Sequence, residues 1–130
     1  MIQANIAVDN SAVEGERVDV SLNNVVFEMV TSTTSVVAAE PTLFRYFENE
    51  GVVWGDYTGD TVIEGRFSGI REGDTLHMSY NHRSKNGNLV HGNDTTIVSR
   101  QADGLLRLTE FYVGANGEPQ LSVCREVAAK

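Results

Sequence analysis

Glu110, Tyr80, His82 and His91 are the residues of this chain best suited to moving protons or holding a ligand. Glu110 follows the run Leu105-Leu106-Arg107-Leu108-Thr109, whose alternation directs Leu106, Leu108 and then Glu110 to one face. A carboxylate turned toward a core must be paired, or it bears a desolvation cost. Arg125, diagonal to it on the following segment, offers a structural ion pair. The sharper reading is a carboxylate of shifted pKa that acts as an acid or base, or anchors a polar group of a ligand. Tyr80 brings a hydroxyl that needs a partner, and Asn93 is expected opposite it. His82 and His91 are expected as cross-strand neighbours with Cβ atoms about 5 Å apart, near enough to share a proton or an ion. Two ligands do not close a metal site, and Asp56 or Glu110 would have to complete it, so no metal and no cofactor are expected. Trp54, Tyr80 and Tyr112 can stack on a planar ligand or simply fill a core. Cys124 is expected on the outer face without a basic activator, which argues against a nucleophile.

The elements that must position these groups are strands. Turn signals at Asn49-Glu50-Gly51, Gly59-Asp60, Glu72-Gly73, Asn86-Gly87, Ala102-Asp103-Gly104 and Asn116-Gly117 separate eight candidates. These are residues 25–31, 42–48, 52–58, 61–71, 75–85, 88–100, 105–113 and 118–127. One helical turn fits at residues 35–40, before Pro41. Residues 1–23 are acidic and lack aromatic side chains. They read as an arm, with a short strand at 17–22, that is either loosely ordered, a lid or a dimer contact; residues 24–130 form the folded domain.

Two-residue turns at four of those sites predict a register. His82 then faces His91, Tyr80 faces Asn93, Met78 faces Thr95 and Phe67, Gly65 faces Trp54, and Glu110 faces Val123. The resulting inner face has Val52, Phe67, Leu76, Ile97, Leu106 and Val127 toward one end, and Asp56, Tyr80, His82, His91, Asn93, Glu110 and Tyr112 toward the other. For the segment 42–48 the alternation leaves open whether Phe44 and Tyr46 or Arg45 and Phe47 point inward. Eight short antiparallel strands in meander order fit an up-and-down β-barrel, which removes sheet edges and leaves room for side chains or one small ligand.

Composition bounds the partners. Ten basic residues against eighteen acidic ones give a net charge of −8, which disfavours nucleic acid and anionic membranes. The single cysteine excludes an internal disulfide framework. No run approaches the roughly 20 apolar residues of a membrane span, and no basic-then-apolar segment opens the chain, so the expectation is a soluble, cytoplasmic protein. A phosphate loop, a nucleophile elbow and a zinc-protease motif are all missing.

Phe44-Arg45-Tyr46-Phe47, Val53-Trp54-Gly55-Asp56-Tyr57-Thr58-Gly59, Tyr80-Asn81-His82 and Asp103-Gly104-Leu105-Leu106-Arg107-Leu108-Thr109-Glu110 together resemble a small bacterial family whose members carry the label N-acetylglutamate synthase-like. The resemblance spans about residues 25–126 and implies a β-barrel without established catalytic residues. An acetyltransferase of the usual kind needs alternating helices and strands and a pyrophosphate loop, and this sequence has neither. The architecture is expected to be similar to lipocalin-like or avidin-like barrels, with an N-terminal arm. The expected function is binding of a small hydrophobic molecule, with Trp54, Phe67, Met78 and Leu108 as walls. Tyr80, His82, His91, Asn93, Glu110 and Arg125 would orient it. The alternatives are a cofactor-independent isomerase, cyclase or lyase using Glu110 and Tyr80, and a packed structural module. A homodimer stays open.

Overall fold

The computed structural model describes residues 6–33, 40–114 and 116–128. The helical turn expected at 35–40 lies largely outside them. The strands are β1 (Glu16–Arg17), β2 (Val25–Ser32), β3 (Leu43–Asn49), β4 (Val52–Gly59), β5 (Val62–Glu72), β6 (Thr75–Ser84), β7 (Leu89–Arg100), β8 (Leu106–Val113) and β9 (Pro119–Glu126). From β2 to β9 each strand pairs antiparallel with the next, and β9 returns to β2, closing an eight-stranded up-and-down barrel. The short β1 pairs with the end of β7, at Ser99 and Arg100, just past the point where β6 begins.

The register differs from the two-residue expectation at all four hairpins, and at three of them the shift is odd and exchanges the sides; the reasons are local. Asn86-Gly87 sits inside a three-residue loop: the Ser84 amide donates to Asn88 O and the Gly87 amide to Ser84 O, with Gly87 at φ +91°. The loop at Asn116-Gly117 repeats this pattern. Each extra loop residue moves the facing strand by one position and so reverses its sides. Between β4 and β5, a bulge at Ile63-Glu64 has the same effect on β4. The Gly73 turn is displaced by an even step, so β5 and β6 keep their expected sides.

Several expectations are corrected by these shifts. Trp54 and Asp56 lie on the outside of β4, where Trp54 stacks on Phe47 at 6.1 Å and Asp56 pairs with Arg45 at 2.6 Å. Asn93 is outside and accepts from Ser79 Oγ at 2.8 Å. Arg125 is outside, half exposed and beside Glu28. His91 stands opposite Asn81 and His82 opposite Val90, so the two imidazoles are not cross-strand partners. Cys124 moves the other way and is fully buried inside, opposite Leu108. On β3 the inward pair is Phe44 and Tyr46.

The barrel has one filled end and one open end. Phe27, Val53, Leu76, Val98 and Leu108 are essentially inaccessible, and Leu22 plugs the space beneath them with Val18 and Val20 packed alongside. Arg71 holds that plug. Its guanidinium donates to Glu48 Oε1 at 2.6 Å, to Val20 O at 2.6 Å and to Gly73 O at 2.7 Å, while the same Glu48 oxygen accepts from the Leu22 amide. Farther up the chain, the Ser99 hydroxyl donates to Glu14 O and Arg107 donates to Ala12 O and pairs with Glu14. The described part of the N-terminal segment therefore seals the floor and straps the outside of β7 and β8. It does not cover the mouth, because its apolar residues insert at the opposite end, where β7 extends past the start of β6 and would otherwise leave an edge.

Candidate functional site

Above the floor the strands enclose a cavity of about 460 Å³, open at the end formed by Ser32, Thr42, Thr61, Val90 and Val113. Aromatic rings form much of its wall. Phe44 stacks on Tyr57 at 5.1 Å, Tyr46 and Phe67 meet at 4.5 Å, and Met78 and Tyr80 continue the lining. Glycines make room for these rings. Gly55 lies under Phe67, Gly65 under Tyr57 and Gly92 under Tyr80, each the direct cross-strand partner of the ring above it. A Cβ at Gly55 or Gly65 would overlap the ring atoms. Backbone without side chains thus sets the width of the lumen.

The polar groups are arranged in two levels. Near the mouth, the Tyr57 hydroxyl and His82 Nδ1 are 2.8 Å apart, and Ser122 Oγ donates to the Tyr112 hydroxyl. Burial lowers the His82 pKa, so this imidazole favours its neutral form. Deeper in, Asp94 on β7 and Glu110 on β8 are diagonal neighbours on the inner face, since Asp94 pairs with Tyr112 and Glu110 with Thr96. Burial pushes the Asp94 carboxyl up to about 7, against the opposing hydrogen bond from Thr96 Oγ1 at 2.7 Å. Burial also drives the Glu110 pKa well up, and the Asp94 charge adds to this, while the Cys124 thiol donates to it. The Cys124 thiol and the Tyr46 hydroxyl are raised mainly by burial and then by the nearby Glu110 carboxylate. Burial raises Tyr80 to about 12. Both carboxyls are thus biased toward their protonated forms relative to ordinary surface carboxylates.

Of the residues singled out in the sequence, the structure brings Phe67, Met78, Tyr80, His82, Glu110 and Tyr112 to this cavity, with His91 exposed at its rim. Leu108 is buried in the floor. Trp54, Asp56, Asn93 and Arg125 are not among its lining residues. The ion pair expected between Glu110 and Arg125 is replaced by Arg125 with Glu28. Sequence reading missed Asp94 and Tyr57 and left the direction of Phe44 and Tyr46 open. A signal existed for Asp94: aspartate is disfavoured inside strands, yet it sits within the long run of β7.

A closed antiparallel barrel with one sealed end and an aromatic lumen defines a small-molecule-binding type of β-barrel. The family model described as avidin-like protein matches residues 20–127, and the chain belongs to that family. No curated protein matches the chain. No solved structure matches it either.

Proposed function

We propose that the protein binds one small, mainly apolar molecule in its lumen, with Phe44, Tyr46, Phe67 and Met78 against the body of the ligand. Tyr80, His82, Tyr112 and the Asp94–Glu110 pair direct its polar group. The observation that carries this reading is the open cavity of about 460 Å³, a size suited to a drug-sized ligand. A fully packed structural module would have no such space. Native mass spectrometry of freshly purified protein, compared with its denatured mass, tests the reading. A retained small molecule, or displacement of an apolar fluorescent probe from the lumen, is expected. An empty protein that also fails to take up the probe would refute it.

A second reading, an isomerase, cyclase or lyase working without a cofactor, is favoured by the Asp94–Glu110 pair. A carboxyl that stays protonated near neutrality beside a second carboxyl can serve as a general acid. Glu110 and Tyr80 are the acid–base candidates, joined by Asp94. Turnover of an identified substrate should fall at least about a hundredfold in Glu110→Gln. Unchanged turnover in Glu110→Gln and Tyr80→Phe would remove them from that role.

A further inference from the structure

We infer that the ligand of this lumen is an amphiphilic cation, a molecule with an apolar body and a protonated amine or quaternary nitrogen that lies between Asp94 and Glu110. The inference rests on the reading of the lumen as a ligand pocket and names the class of its occupant.

The charges around the site all point one way. Facing the two carboxyls are Tyr46 from β3, Tyr57 from β4, Tyr80 from β6, Tyr112 from β8 and Cys124 from β9, with His82 nearer the mouth. None of these is a fixed cation, and among the described lining residues there is no lysine or arginine. The one arginine buried inside the barrel, Arg71, is at the sealed end and is committed to Glu48 and backbone carbonyls. An anionic ligand would meet two acids and no counter-charge. A purely apolar ligand would leave both carboxyls buried and unused, at a desolvation cost.

A second feature is independent of the carboxyls. The Tyr46 hydroxyl lines the cavity, its residue is 3% exposed, and it has no hydrogen-bond partner among the described residues. Its oxygen can accept from an N–H where the ligand is a protonated amine. The rings of Phe44, Tyr57 and Phe67 present the electron-rich surfaces that stabilise a desolvated cation. The raised carboxyl pKa values fit the same picture, since they favour a proton where the ligand would place its positive charge.

The test uses the full chain and three probes with the same tail: octyltrimethylammonium, 1-octanol and octanoate, titrated calorimetrically at pH 7. Octyltrimethylammonium should bind about tenfold or more tightly than 1-octanol, with octanoate weakest. Its binding should release protons, seen as a heat that depends on the ionisation enthalpy of the buffer, because the cation favours the ionised carboxylates. In Asp94→Asn/Glu110→Gln the preference and the proton release should vanish while 1-octanol still binds. Glu110→Gln alone, which keeps one carboxyl, should show a reduced preference. Equal or tighter binding of 1-octanol, or a preference that survives the double variant, overturns the cation assignment and leaves the pocket standing. Failure of all three probes to bind would count against the pocket itself, and the assignment would fall with it.

Discussion

The two ends of this barrel treat buried charge in opposite ways. At the floor, Arg71 is surrounded by a carboxylate and by carbonyl oxygens placed at 2.6–2.7 Å, and its charge is fully answered. In the lumen, Glu110 is buried and Asp94 half-buried; among the described residues their donors are a hydroxyl and a thiol, and the Asp94 charge raises the proton affinity of Glu110. The first arrangement is what a structural ion pair requires. The second is unfavourable by itself and makes sense where something else supplies the missing charge. Burial alone does not separate a structural polar group from a functional one; whether its partners are complete does.

The largest expected effect breaks the floor. Arg71→Ala strands Glu48 and the carbonyls of Val18 and Val20, and urea unfolding should show a loss of about 3–5 kcal/mol. The second perturbation should have the opposite sign. Asp94 is near 3.8 when unfolded and about 7 when folded, so the folded state binds the extra proton between those values. Its cost to stability grows as pH rises from about 4 to about 7 and is then constant. Glu110, also raised, extends the decline further. Asp94→Asn should therefore stabilise the protein at pH 8, on the order of 2 kcal/mol, with little gain at pH 4. A loss at pH 8 would mean that the lumen is balanced like the floor.

Smaller effects sharpen the contrast. Gly65→Ala would push the Tyr57 ring off the backbone it lies on and disturb its contact with His82. A loss of about 1–2 kcal/mol is expected, together with weaker binding of an apolar probe. Trp54→Ala removes an exposed ring from the outer face. It should change stability by no more than about 0.5 kcal/mol and leave probe binding intact. A strong effect on binding would show that the outside of β4 communicates with the lumen.

The strands were legible in the sequence because the turn residues that punctuate them are chemically distinctive, and the eight segments fall within a residue or so of their observed limits. The barrel followed from their number and order. Which side chains face the lumen was harder, because that depends on parity. Asn86-Gly87 is compatible with a two-residue turn and also with a three-residue loop whose last member adopts positive φ. The choice between them exchanges His91 for Val90 and Asn93 for Asp94. The bulge at Ile63-Glu64, which turns Trp54 outward, leaves no mark in an alternation already interrupted by Gly65. Glu110 and Tyr80 were placed correctly on the inside because β6 and β8 keep their expected sides. Their partner Asp94 was hidden by a single extra loop residue.

The seam of the barrel has a consequence for its synthesis. β2 finds one of its two neighbours immediately, in β3, but the other is β9, the final strand, with Phe27 opposite Glu126 and Ser32 opposite Ser122. A nascent chain therefore carries an unpaired β2 edge until β9 has left the ribosome. During that interval the edge is open to the β9 strand of another chain as well as its own. Crowded translation of this protein would favour strand-exchanged pairs, and slower initiation would favour self-closed barrels.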